Sequence, residues 1–454
     1  MKLVFKVLIS ILLIIGFSPF DSQTSSANYN ENEILSDEET EHLSKIIAAD
    51  VVVRLDSLID AFTLQQRFSG NVLVAVGGNE ICSRSVGNAD PLRKEAVNQS
   101  TVFQLASVSK QFTAAAIMLL KSDGRLDFTD SLVKYIPELP YREVTIDQLL
   151  HHLSGLPNYM YLIDKYWKES HAPDNEDVID LMAKYKLPLF FKPGTQYDYS
   201  NTGYMMLATV VQRISGLSLN EFLQRRLFKP LGMNSTYVYS SVDTNIVRKQ
   251  IDGFRSTRRG YIRIADSHHD GAVGDKGVCS TIEDLRKWDK ALYDGFPLSK
   301  ELVDMAFEPA TTISGKIIPY GQGFRLRESN GTKVVYHNGI WEGSRTNFHR
   351  FIEEQSSIIV LNNTSISSNH ELVRLIENTL FQERSVSIAA KISRLVIEEG
   401  LDSALDYYSE IREREPFQHP DIRKFMQAAD YMYSIGKDKK AEDFRKLCEK
   451  IVSI

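Results

Sequence analysis

The chain has 454 residues, 43% hydrophobic and 25% charged, which supplies one large core or two modest ones and excludes extensive low-complexity disorder. A formal charge of −6, a pI near 6.0 and the lack of any long Lys/Arg run exclude nucleic acid as an expected partner. The first elements are those of export. Two lysines in the first six residues precede an apolar run from Val7 to Phe17, then Ser18, Pro19 and a polar stretch, the layout of a secretory signal peptide over 1–27. That run is about half the ~20 residues a membrane-spanning helix needs, so the expected destination is the periplasm or the exterior. Residues 28–42 read as a linker, and a helical pattern follows from Leu43 to about Gln66. Asn71 to Val76 and Ile81 to Val86, separated by Gly77-Gly78-Asn79, predict a hairpin.

From about Ser107 to Tyr293 the pattern is mostly helical. Thr145 with Gln148, Ser218 with Glu221 and Ser280 with Glu283 are spaced as capping boxes. Strands return at Gly331 to His337, Thr346 to Ile352 and Ser356 to Leu361. Early and late strands with helices between them predict one antiparallel sheet carrying an inserted helical lobe, with a cleft at their boundary. Tyr159, Tyr161, Trp167 and Trp341 are candidates to line it. The domain is expected over 43–385. Beyond it, helical patterns at 387–399, 401–413, 419–435 and 439–451 predict an all-α tail over 386–454, whose two similar segments about 36 residues apart resemble tetratricopeptide-type hairpins. This tail is expected to pack on the main domain.

Three cysteines, Cys82, Cys279 and Cys448, are odd in number and far apart, so at most one bridge can form, and pairing of Cys82 with Cys279 stays open. They form no Cys-x-x-Cys pair, and His268-His269-Asp270 reads as a polar loop without accompanying ligand spacing, so no metal is expected. The chemistry-bearing residues fall in three short segments. Ala106-Ser107-Val108-Ser109-Lys110 opens a helix, where residues three apart share a face and the Lys110 amine can take the Ser107 proton. The unpaired first-turn N–H of Ser107 can hold an oxyanion. Tyr199 and Asn201, on a turn before a helix, can project a phenol and an amide to one side. His337-Asn338-Gly339-Ile340 ends a strand: a small Gly339 admits a substrate along the strand edge, Ile340 offers a second oxyanion N–H, and His337 is expected to titrate near neutrality.

In this order and spacing, Ser-x-x-Lys, Tyr-x-Asn and His-x-Gly resemble the serine β-lactamases and penicillin-binding proteins. Further segments, Phe68-Ser69-Gly70, Leu149-Leu150-x-His152-x-Ser154-Gly155-Leu156-Pro157, Pro230-Leu231-Gly232-Met233 and Gly277-Val278-x-Ser280-Thr281, resemble the branch of class C β-lactamases, D,D-peptidases, D-aminopeptidases and related esterases. The resemblance covers about residues 50–365. It implies the β-lactamase/transpeptidase-like α/β fold, with Ser107 as acylated nucleophile, Lys110 and Tyr199 as proton-transfer pair and Asn201 as a substrate-positioning amide. His337, Asn338, Gly339 and Trp341 would contact substrate, and the N–H groups of Ser107 and Ile340 would form the oxyanion hole. His337 and Asn338 stand where β-lactamases carry Lys-Thr, a pattern that points toward D,D-peptidases and D-aminopeptidases rather than efficient lactam hydrolysis. The expected activity is hydrolysis of a small-molecule or peptide amide or ester, without cofactor. The competing expectation is an idle relative that binds cell-wall peptide, or a protein partner through its C-terminal helices.

Overall fold

A computed structural model describes residues 37–453 apart from 67, 330, 366–367, 415–421 and 435–436; the expected leader lies outside the described residues. The first helix, α1, spans Asp37–Gln66 and so begins inside the stretch expected to be linker. Six strands form the main sheet: β1 (Gly70–Val76), β2 (Asn79–Val86), β3 (Arg325–Ser329), β4 (Thr332–Trp341), β5 (Ser344–Phe351) and β6 (Ser356–Asn362). Their order, β3-β4-β5-β6-β1-β2, sets the early hairpin beside the late strands, and β1 runs antiparallel to β6. The antiparallel sheet with an inserted helical lobe is therefore present.

Register decides which side chains meet the lobe. His337 lies opposite Phe348, Phe348 opposite Ile359 and Ile359 opposite Leu73, so these four share one face of the pleat. Leu73, Phe348 and Ile359 belong to the main buried core with Phe112, Leu149, Tyr204 and Trp288. Asn338 lies opposite Asn347 and therefore faces away from the lobe.

The lobe is organised around α2 (Lys110–Ser122), buried continuously from Lys110 to Leu120 because its sequence is apolar or small on all sides. Against it packs α3 (Asn201–Ser215), which starts at the N-cap Ser200 and stops where Gly216 takes the left-handed conformation. The Thr145/Gln148 and Ser218/Glu221 capping boxes are formed. At α4 (Ile282–Asp294) the cap is instead Thr281, whose hydroxyl accepts from Asp284 N–H, because Ser280 still belongs to a buried strand. Cys82, Cys279 and Cys448 are buried and unbridged.

The described chain divides into two compact units. The larger takes in 58–327 and 333–373; the smaller takes in 328–332, 374–453 and the first part of α1. The smaller contains most of α5 (Asn369–Glu398), then α6 (Leu401–Arg414), α7 (Ile422–Ser434) and α8 (Asp438–Ser453). These helices close on a core of their own that includes Val396, Tyr408, Phe425, Phe444 and Leu447.

Candidate active site

The nucleophile turn precedes α2 and is not its first turn. Ala106–Ser109 is a short 3-10 segment, and Ala106 adopts φ 51°, a conformation costly for any residue with a Cβ. That bend presents Ser107 partly exposed while Lys110, three residues on, is fully buried. The Lys110 ammonium nitrogen lies 3.3 Å from Ser107 Oγ, 2.8 Å from Asn201 Oδ1 and 2.9 Å from the Asp275 carbonyl oxygen. Its three directions are thereby fixed. Asn201, the first residue of α3, spends its oxygen on Lys110, which leaves its amide NH2 as the group available to a substrate carbonyl.

Tyr199 stands two residues before α3. Its ring lies 4.8 Å from Lys110 Nζ, and its hydroxyl is 3.5 Å from His337 Nε2 and within hydrogen-bond reach of Ser107. The turn that carries it is held from behind by His152, whose Nδ1 accepts the Ser200 N–H at 3.0 Å and whose ring packs 4.3 Å from that of Tyr199 and 4.4 Å from that of Tyr320.

On β4, His337 is buried with Nδ1 2.8 Å from the Asn338 carbonyl, to which it can only donate, and Nε2 3.2 Å from Tyr320 Oη. Burial holds the ring uncharged, so Nδ1 carries the proton and Nε2 accepts from the Tyr320 hydroxyl. Gly339 has a different reason from the one expected. A Cβ there would stand 2.4 Å from the Leu105 carbonyl oxygen and 2.2 Å from Thr346 Oγ1, so glycine lets β4 close on the nucleophile turn. Thr346 Oγ1 in turn donates to Leu105 O at 2.7 Å. Ile340, opposite Arg345, is 67% exposed at the end of that approach. Trp341 donates from its indole to Asp270 Oδ1 at 2.6 Å, and its ring covers the Lys276 ammonium at 4.8 Å.

Asn338 departs from the expected substrate contact: its Oδ1 accepts from Asn347 Nδ2 at 2.7 Å and pairs with His349 Nε2 at 2.9 Å, on the opposite face of the sheet from His337. Strand alternation forbids neighbours in sequence from both facing the lobe. The candidate cleft aromatics also separate: Tyr159 is fully buried, Tyr161 is exposed, and Trp167 donates to the His171 carbonyl at 2.6 Å. His268–Asp270 forms a 3-10 turn capped by Ser267.

Burial governs the electrostatics. It lowers Lys110 to about 7, against the Asp275 carboxylate, which raises it, and with Arg325, which lowers it further. Burial pushes the Tyr199 phenol well above its ordinary value, while its hydrogen bond with Ser107 pulls it down, so the phenol stays protonated. His337 is held well below its ordinary range by burial, then by the positive Lys110 and Arg325, which overturns the expectation that it titrates near neutrality. The site thus pairs an amine that loses its proton near neutral pH with a neutral phenol and a neutral imidazole. Four residues here escaped the sequence reading. His152 lies within Leu149–Pro157, a segment that carried no assigned task at this position, and Asp275 stands two residues before Gly277; Tyr320 and Arg325 carried no local signal.

The family described as Beta-lactamase matches residues 55–380. Penicillin-binding protein 4* of Bacillus subtilis is 32% identical over 348 residues, covering 72% of this chain and 75% of that protein. A D-aminopeptidase of Brucella canis is 26% identical over 332 residues, 72% of this chain, and the match spans only 62% of that relative's length. Among solved structures, a penicillin binding protein from Bacillus halodurans superposes with a TM-score of 0.61 at 25% identity, covering 71% of this chain and 98% of that one. The D-amino acid amidase of Ochrobactrum anthropi SV3 superposes with a TM-score of 0.63 at 22% identity, 74% and 99% covered, a likeness of fold.

Proposed function

The chain belongs to the beta-lactamase family, and from that premise we propose that it is an exported serine hydrolase, working through an acyl-enzyme on Ser107. Its substrate is an amide or ester of a small molecule or of a D-amino-acid peptide. The observation that carries this is the buried Lys110 amine 3.3 Å from Ser107 Oγ, lowered to about 7 and oriented by Asn201 and the Asp275 carbonyl. As Ser107 Oγ bonds to the substrate carbonyl carbon, its proton passes to neutral Lys110. The carbonyl oxygen takes the negative charge, held by the Ser107 and Ile340 N–H groups. Tyr199, a phenol beside both Ser107 and Lys110, delivers a proton to the leaving nitrogen or oxygen and recovers it from the lysine. Water then enters by the reverse route and frees the acid. A binding-only protein has no physical use for a lysine lowered to about 7 against a serine. Export rests on the leader read at 1–27.

Arg325 narrows the substrate. Its guanidinium lies over the Tyr199 ring at 4.9 Å and the Tyr320 ring at 6.0 Å and has no ion pair with a carboxylate among the described residues. A half-buried, unneutralised guanidinium beside the nucleophile suits a substrate carboxylate. The test compares kcat/KM for a peptide ending in a free D-Ala-D-Ala carboxylate with that for its C-terminal amide. The carboxylate is expected to be preferred by about tenfold or more, and Arg325→Met to erase the preference through KM. Equal rates for both peptides would contradict the carboxylate reading.

A further inference from the structure

Two charged residues that the reaction does not touch lie buried behind the site. Asp275 and Lys276 are 1% and 3% exposed, with Lys276 Nζ 3.5 Å from Asp275 Oδ1. Tyr159 links them: Lys276 Nζ donates to Tyr159 Oη at 2.7 Å, and that hydroxyl donates to the Asp275 carboxylate, 3.2 and 3.3 Å from its two oxygens. Lys276 also donates to the Ala272 carbonyl at 3.1 Å and is covered by the Trp341 indole. The loop that carries the pair is fixed to α2 and α3 by its backbone. Thr113 Oγ1 donates to Gly274 O at 2.7 Å, Val278 N–H donates to Ser109 Oγ at 3.0 Å, and a Cβ on Gly274 would stand 2.5 Å from the Tyr204 carbonyl oxygen.

We infer that Asp275 and Lys276 are a positioning pair for Lys110: the Asp275 carbonyl aims the amine at Ser107, the Asp275 carboxylate acts on its charge, and Lys276 with Tyr159 holds that carboxylate in place. A buried carboxylate without partners is costly, because desolvation disfavours its charge. The Lys276 ammonium and the Tyr159 hydroxyl are the partners that this one has. Among the described residues, the other groups around Lys110 are either neutral or of its own sign: Tyr199 and Tyr204 present ring faces at 4.8 and 5.5 Å, His152 and His337 are held uncharged by burial, and Arg325 opposes its protonation. Among the described residues Asp275 is the negative charge acting on this amine, and it raises the lysine's titration against the lowering by burial.

The inference deepens the hydrolase reading, since it concerns the base of that same site, and its test does not use turnover. Lys110 is titrated in the full-length folded protein by NMR of 13Cε-labelled lysine, assigned with Lys110→Met. Asp275→Asn is expected to lower the Lys110 midpoint by about half a pH unit or more. Lys276→Met is expected to lower it in the same direction, the double variant to match Asp275→Asn, and Lys276→Arg to restore the wild-type midpoint. If Lys276→Met does not fold, Tyr159→Phe, which removes the linking hydroxyl, takes its place with the same expected shift. An unmoved midpoint in Asp275→Asn, or an unmoved or raised one in Lys276→Met, would overturn the inference. A protein whose Lys110 titrates as expected while Ser107 takes no acyl group would instead contradict the hydrolase reading alone.

Discussion

The lowered Lys110 carries a pH signature that separates it from an ordinary lysine. With a pKa of about 7, roughly a tenth of the amine is neutral at pH 6 and roughly nine-tenths at pH 8. Acylation of Ser107 should therefore rise about tenfold between those values and level off above pH 8. The sign follows from the role: the base works only when deprotonated, and burial makes that form available at neutral pH. Lys110→Met should remove the rise together with nearly all acylation. The assay is the rate of adduct formation with a neutral fluorophosphonate, whose own ionisation does not change over the range. A rate that climbs tenfold per pH unit through pH 9 would mean that the lysine keeps its ordinary pKa, and a flat profile would mean that it is not the base.

Other expectations follow from packing. Gly339→Ala places a Cβ against Leu105 O and Thr346 Oγ1 and should cut acylation by roughly a hundredfold with circular dichroism unchanged; acylation at the wild-type rate would contradict the close-approach argument. Arg350, fully buried, donates to Asp289 Oδ1 at 2.6 Å and lies over the Tyr293 ring at 4.1 Å, joining β5 to α4. Asp289→Ala strands that cation and should cost ~3–5 kcal/mol in denaturant unfolding followed by the buried Trp288; a loss below ~1 kcal/mol would refute it. Tyr320→Phe removes the hydroxyl that donates to His337 Nε2, and acylation should fall about tenfold with little change in stability. A variant that loses stability but keeps the wild-type acylation rate would assign Tyr320 to the core alone.

Much of the fold was legible because its signals are local. The Gly77-Gly78 turn, the caps at Thr145 and Ser218 and the β-rich runs of β4 to β6 each announce themselves within a few residues. Ser107, Lys110, Tyr199, Asn201 and His337 were legible as motifs, and the structure brings the five together. The rest depends on what the chain folds against. Asn338 turns away because the strand's register commits His337 to the lobe, a parity that the motif does not encode. The neutrality of His337 comes from burial and two cations remote in sequence, Lys110 and Arg325. Tyr320 and Arg325 flank a loop that delivers them to the site only once β3 and β4 pair, and Ser280 loses its capping role to Thr281 because a strand claims it.

The proposed reaction stands on Ser107 as an activated nucleophile. Intact-protein mass spectrometry after exposure to a fluorophosphonate, and separately to a penicillin, tests it most directly, with Ser107→Ala alongside. One fluorophosphonate adduct per chain is expected, absent from Ser107→Ala, together with a penicillin adduct at the same residue that persists rather than clearing quickly. A folded protein that takes neither label, or a label that survives in Ser107→Ala, would contradict it.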